Sequence, residues 1–521
     1  MGRSLTSPFR RLQQPLTLSL ASLILLACCF VPLLALLAQV AEGGWDSFGV
    51  WLKPNAWRLL LRSLVMSSVT TLLALIIGTM MGVLIARCAI PGRRALWLIH
   101  LFPAFLPPFL LALGWFDAFQ GTGVLEALRP LLYSSVGVVL ILSLAFAPLA
   151  TSLVVFALLG IDAVREESGR IFGRPYQVIV GVLLPAIRPT LVLAALIVFA
   201  LAFSEIGVPM FLRVDVFPAA VFSHLGGMAY APGEAFALAL PVMVIVFAML
   251  AIERKFSGAR AFAVGGIRGL SRSPIELGAS RARWIGAAWL IALFGLCPVA
   301  GLVMVAANGT LADSFSWAGN TAWRSLGFAV VGATLIASTG LVIGHALARK
   351  LPTAKTADSI ALLTFLMPAP VIGAGLLAAA SATGGALIVG TSLLIVALVA
   401  RYLAIGVRAA AAVMSQSSIA MEESAATAGA GYWQRMLSVV LPANLAGVLA
   451  VWLFAFIFCL RDFESAVLVY PPGGEPLTVR IFTLEANGPP AVVSGLALLQ
   501  VAITAVAAAL GLIAVMRAAR R

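Results

Sequence analysis

The sequence predicts an all-α polytopic membrane protein with about twelve transmembrane helices, arranged as two homologous six-helix halves. Three observations carry that prediction. Of 521 residues, 62% are hydrophobic and 10% charged, against roughly 45–50% and about 25% in a soluble domain. The apolar residues gather in long runs, and about 20 of them in a helix cross a hydrocarbon core of about 30 Å. Short motifs then recur in the same order in both halves of the chain. Disorder is excluded, because low hydrophobicity is its signature. A soluble multidomain enzyme would need far more charge to cover its surfaces. Barrel strands alternate in period two over about 10 residues, which these runs do not.

Twelve runs reach spanning length: 16–40, 62–86, 96–118, 134–160, 189–211, 233–252, 284–307, 325–348, 357–380, 387–413, 444–466 and 491–516. The first follows Arg3, Arg10 and Arg11. It is longer than a signal-peptide core and no small-residue cleavage site follows, so it reads as a retained helix. Lys and Arg number 34 against 20 Asp and Glu, a net charge of +14. With the N-terminus in the cytoplasm, about 26 of the 34 basic residues fall on that side, which predicts that both termini face the cytoplasm. The basic excess therefore reports topology, and nucleic acid is not an expected partner. The richest segment holds Arg254, Lys255, Arg260, Arg268, Arg272, Arg281 and Arg283. It divides the chain into a first half (1–252), a basic cytoplasmic linker (253–283) and a second half (284–521). The five cysteines show no CxxC spacing and the three histidines are scattered. They read as packing residues, and no metal site is expected.

The halves share landmarks. Arg62-Ser63-Leu64 opens the second run and Ala86-Arg87 closes it; Arg324-Ser325-Leu326 and Ala348-Arg349 bound the eighth, at an offset of 262. Gly78 and Gly82 fall on Gly340 and Gly344 at the same offset. The loops at 161–186 and 414–443 match as well. One carries Asp162, Glu166-Glu167-Ser168, Gly173 and Leu184-Pro185; the other carries Ser418, Glu422-Glu423-Ser424-Ala425, Gly429 and Leu441-Pro442. Asp162 and Ser418 suit an N-cap. The acids suit the positive end of a short helix, and the glycines permit the turn that ends it. Pro185 and Pro442 stand where the next span begins. A rigid knob repeated twice suits a two-fold partner.

These loops resemble the cytoplasmic signature of type I ABC importer permeases: Glu-Ala-Ala, three residues, Gly, nine residues, Ile-x-Leu-Pro. In the second half Gly429 follows Glu423 by six residues and Pro442 follows Gly429 by thirteen, as in the signature. In the first half Ser168 and Gly169 replace the alanines, and Pro185 follows Gly173 by twelve. Two halves in one chain are similar to the fused permeases of ferric iron and thiamine importers. The resemblance implies the type I permease fold, with Glu166 to Gly173 and Glu422 to Gly429 as coupling helices that dock on an ATPase. It implies three partners: a cassette ATPase, as a homodimer; a periplasmic solute-binding protein; and the lipid bilayer of a bacterial inner membrane. It leaves ferric iron, thiamine, polyamine or phosphonate as substrate. The chain has no GxxxxGK[ST] motif, so it is expected to bind no cofactor and catalyse nothing, with ATP and magnesium used by the partner.

Acids inside spans are functional candidates. Glu205 lies near the outer end of the fifth span, and Glu464, after Asp462, near the matching end of the eleventh. They read as a quasi-symmetric pair in a cation-attracting vestibule, or as structural acids that cap a helix or pair with Arg461 or Arg213. Arg401, in the tenth span, is paired or snorkels. Pro103, Pro107, Pro108, Pro368 and Pro370 predict kinked or broken helices in both halves. An alternative function is a twelve-helix secondary transporter driven by an ion gradient, which needs mid-membrane coupling residues that are nearly absent. A membrane enzyme would need a nucleophile–base cluster, and none is visible.

Overall fold

The computed structural model describes residues 8–32, 34–35, 37–38, 45–119, 126, 129–161, 175–226, 232–257, 274–351, 353–382 and 390–520. Among them there are helices and no β-strand, only an isolated bridge between Cys88 and Ile275. Eight helices are long and apolar enough to cross a membrane, and three sharply bent pairs bring the number to eleven. The expected twelve are therefore not all unbroken spans. The run expected at 16–40 contributes an apolar helix over Thr17–Phe30, and part of its remainder lies outside the described residues.

In the first half, α1 (Pro8–Leu25) leads to α2 (Pro54–Arg87), α3 (Arg93–Leu101), α4 (Pro108–Ala118), α5 (Ser135–Leu159), α6 (Arg188–Ser204), the short α7 (Gly207–Phe211), α8 (Phe217–Gly226) and α9 (Pro232–Ser257). The second half repeats them as α10 (Arg281–Ala306), α11 (Thr321–Ala348), α12 (Ala354–Leu366), α13 (Ala369–Ala382), α14 (Thr391–Ser415), α15 (Ile419–Thr427), α16 (Leu445–Leu460), α17 (Ala466–Val469), α18 (Leu477–Glu485) and α19 (Pro490–Arg520).

The prolines break helices where expected. The third span turns by 105° between α3 and α4, and the ninth by 107° between α12 and α13. A residue before proline is pushed out of helical geometry. Leu106 and Met367, which precede Pro107 and Pro368, are accordingly extended, with ψ of 149° and 141°. Pro185 and Pro442 act alike. Each follows a π-helical turn, Ile179–Leu183 and Met436–Val440. Proline donates no N–H and crowds the carbonyl four residues back, and widening the turn relieves that crowding.

The repeated glycines mark helix crossings. A Cβ at Gly78 would stand 2.6 Å from Ala150 Cβ, and one at Gly340 would stand 2.7 Å from the backbone carbon of Gly406. One turn on, Gly82 meets Val154 and Gly344 meets Ala410. The backbones of α2 and α5, and of α11 and α14, thus approach as only small residues allow. Gly344→Leu should force α11 and α14 apart, with a loss of about 1–3 kcal/mol or more in stability. Gly327→Leu, on the same helix with nothing within 4 Å, should be tolerated. Thermal melting of the purified protein compares the two.

The repeated serine has an equally plain role. Ser63 Oγ accepts the Phe217 N–H of α8 at 2.8 Å, and Ser325 Oγ accepts the Leu477 N–H of α18 at 2.7 Å. Each satisfies a donor at a buried helix start. The opening helices cross between halves. α1 packs on α11 and α12, while α10 packs on α3, α4 and α19. Gly375 makes room for the Pro32 carbonyl, and Gly114 for that of Pro298. The five cysteines are free thiols.

Candidate functional site

The described residues hold two candidate regions, one at each end of the spans. The first is the loop helix α15. Ser418 occupies its N-cap position with extended backbone, although its hydroxyl makes no capping bond. The C-terminus is closed by Gly429, at φ +87°. Gly429 N–H donates to Ala426 O at 2.9 Å and Ala430 N–H to Ala425 O at 3.0 Å. This pair of bonds around a left-handed residue is a Schellman closure. Glu423 and Ser424 are exposed and Ala425 is half-buried. Ile419, Met421, Trp433 and Leu437 add exposed apolar surface beside them.

Glu422 is turned the other way. It is buried, with His345 Nε2 at 3.0 Å from one carboxylate oxygen and an Arg349 ion pair on the other. Burial alone would raise its pKa; the Arg349 and His345 hydrogen bonds outweigh it and hold the carboxyl below its ordinary range. Arg349 also donates to Met414 O at 3.3 Å and Ser417 O at 3.4 Å, where α14 ends. Its repeat counterpart Arg87 donates to Leu158 O, the residue matching Met414. The repeated Ala-Arg at the ends of the second and eighth spans was the signal for this grip. His345 has Val83 in its place in the first half and carried no such signal. Glu166, Glu167, Ser168 and Gly173 lie outside the described residues. Between α15 and Tyr432, Arg435 and Met436 is a groove of about 180 Å³.

The second region is where the halves meet at the far end of α6 and α16. The Glu205 and Glu464 carboxyls lie against each other, both buried. Glu464 is nevertheless not the repeat counterpart of Glu205. Glu205 Oε1 accepts Val208 N–H at 3.0 Å, three residues on, and so caps α7. Asp462 Oδ1 accepts Ser465 N–H at 2.8 Å and Ala466 N–H at 3.2 Å, and so caps α17. Asp462 follows Glu205 by 257 residues, the same offset that separates Pro442 from Pro185. The quasi-symmetric pair is therefore Glu205 with Asp462, and Glu464 is an additional acid. Pairing by position near the span ends leaves a two-residue ambiguity, because Asp462 and Glu464 both lie at that end of the eleventh span.

Tyr402 donates to Asp462 Oδ2 at 2.6 Å. Arg401 does not snorkel; it is fully buried, with Nη1 donating to Met367 O at 2.9 Å. Arg461 donates to Ala104 O, whose helical donor would have been the missing N–H of Pro108. In the matching place, Ser204 Oγ accepts Ala369 N–H at 3.1 Å, at the start of α13. Each half thus holds the broken helix of the other. Phe109, Phe463 and Phe482 close the space beneath, with ring centroids 4.5–5.8 Å apart. Gly207 is needed there, since a Cβ would lie 3.0 Å from Glu205 Oε1 and 3.0 Å from Phe109 Cβ.

No protein-family profile matches the chain. Two curated relatives do, each along most of its length. A ferric transport system permease protein of Haemophilus influenzae is 23% identical over 499 residues, covering 87% of this chain and 77% of the relative. A ferric transport system permease protein of Actinobacillus pleuropneumoniae is 22% identical over 468 residues, covering 83% and 67%. That likeness along most of the chain fits a fused ABC importer permease. The chain is a multi-pass all-α membrane protein, and its paired broken helices lie where its two halves meet.

Proposed function

We propose that this permease forms the membrane path of an ATP-driven importer of ferric iron. The observation that carries the reading is the buried cluster of hard oxygen groups at the junction of the halves, in a chain whose relatives are ferric permeases. Three carboxyls, Glu205, Asp462 and Glu464, stand with two guanidiniums, Arg401 and Arg461. With all five ionised the cluster is one positive charge short. Two buried carboxyls in contact share a proton, and a cation that reaches the pair can take that proton's place. Carboxylate oxygens suit a hard metal ion and disfavour an anionic phosphonate, and the ferric relatives favour iron over an organic cation.

In this reading the outer end faces a periplasmic binding protein, and both termini lie on the cytoplasmic side of the inner membrane. Ile419, Met421, Glu423 and Ser424 of α15 form a docking face for a cassette ATPase homodimer, which binds ATP and magnesium. The matching loop at Glu166 to Gly173 contacts the second ATPase copy. Closure of the ATPases pushes α15, and the helices behind it move as packed bodies. Release of the Ser204–Ala369 and Arg461–Ala104 bonds parts the halves and exposes the acids. In proteoliposomes containing permease, ATPase and binding protein, iron uptake should require all three and ATP. Uptake sustained by an ion gradient without the ATPase would replace this reading with a secondary transporter.

A further inference from the structure

A second buried charge cluster lies at the opposite end of the spans from the acid pair, and it joins the halves. Arg408 on α14 makes a two-pronged pair with Asp358 on α12, Nε to Oδ1 and Nη2 to Oδ2, both at 3.0 Å. Its third nitrogen, Nη1, donates to Glu253 Oε1 on α9 at 2.9 Å. Arg254, next on α9, returns to Asp358 Oδ2 at 3.0 Å and also reaches Ser359. Arg408, Asp358 and Glu253 are all buried. The four charges balance, and the fork geometry of arginine fixes the spacing of three helices at once. Removing one member would leave an uncompensated buried charge, so the joint resists separation.

The repeat makes this joint one-sided. Ser152 stands where Arg408 does and, among the described residues, bonds to its own helix at Pro148 O. Leu96 and Trp97 stand near the Asp358 position. With Pro490 of α19 set against Pro232 of α9, Gly511 and Leu512 replace Glu253 and Arg254. Charge here was not selected by the shared fold.

Arg408 lies six residues before Met414, whose carbonyl Arg349 grips while it also holds Glu422 of α15. A continuous mechanical line therefore runs from α15 through Arg349 to the end of α14, along that helix to Arg408, and across to α9 of the other half. We propose that Arg408, Asp358 and Glu253 are positioning residues that carry the stroke of the second coupling helix into the first half. This rests on the importer reading, and it makes the two ATPase contacts unequal. Movement entering at α15 reaches both halves, whereas among the described residues no matching joint of Ser152 with α3 and α19 stands behind the first-half loop.

The test uses the full complex with spin labels at two exposed first-half sites, Ile252 on α9 and Val180 before α6. Binding of a non-hydrolysable ATP analogue should change their separation in the parent protein and leave it unchanged in Arg408→Gln. ATP hydrolysed per iron taken up should rise about tenfold in that variant. Arg408→Lys, which keeps charge but loses the fork, should show a smaller rise, and Ser152→Ala none. Where Arg408→Gln fails to insert, Arg408→Lys is decisive by the same two measurements. A normal label movement, or hydrolysis and uptake falling in equal proportion, would overturn the proposal. The label arm needs no substrate. Absence of ATP-driven iron uptake by the parent complex counts against the substrate reading alone.

Discussion

Gly429→Val should leave the permease inserted and the ATPase turning over while uptake falls at least about tenfold. The left-handed conformation costs a residue with a side chain roughly 1–2 kcal/mol, and β-branching stiffens it further. A Cβ at Gly429 meets nothing within 4 Å, so the penalty is one of backbone alone. Relief requires breaking the bonds from Gly429 to Ala426 and from Ala430 to Ala425, which frays the last turn of α15 and redirects the chain toward Tyr432. Docking surface at Ile419 and Met421 would remain, but it would be connected to α16 by a loosened turn. A graded series follows. Asn, which tolerates this conformation, should retain most uptake, Ala less and Val least. Uptake and ATPase rates in proteoliposomes measure it. Equal uptake across the series would remove α15 from the coupling path.

Glu205→Gln combined with Glu464→Gln should lower ferric uptake by about ten- to a hundredfold, the scale of a lost hydrogen bond or contact to a charged group. Glutamine keeps an oxygen to accept Val208 N–H, so the α7 cap survives and only the charge is removed. Asp462→Asn should act differently. It meets the Tyr402 and Ser465 hydroxyls with an amide instead of a carboxylate oxygen, so it should lower thermal stability as well as transport. Normal iron uptake by the double glutamine variant would return Glu205 and Glu464 to a purely structural role.

Much of the fold was legible along the chain, because membrane insertion is a local property. A run such as Ser135–Leu159 is apolar whatever surrounds it, and Pro107, Pro108 and Pro368 disrupt backbone bonding wherever they stand.

 The repeated glycines and the Schellman turn at Gly429 were readable for the same reason, since left-handed backbone and close helix approach both call for a residue without a side chain.

What the sequence by itself determined, then, is the class of protein, the two-fold repeat, the broken spans and the turn that ends α15. Tertiary structure alone decided which charges meet. Position at the span ends paired Glu205 with Glu464, whereas the caps on α7 and α17 pair it with Asp462. Nothing near Arg408, Asp358 or Glu253 in the chain announces that they share one site, because they lie 50 to 155 residues apart. The exchange of α1 and α10 between halves is equally invisible, since their lipid-compatible surfaces carry no address. Hydrophobicity and backbone geometry act on neighbours in sequence, and so leave a periodic trace. An ion pair across helices is selected only by the folded arrangement that removes both partners from water.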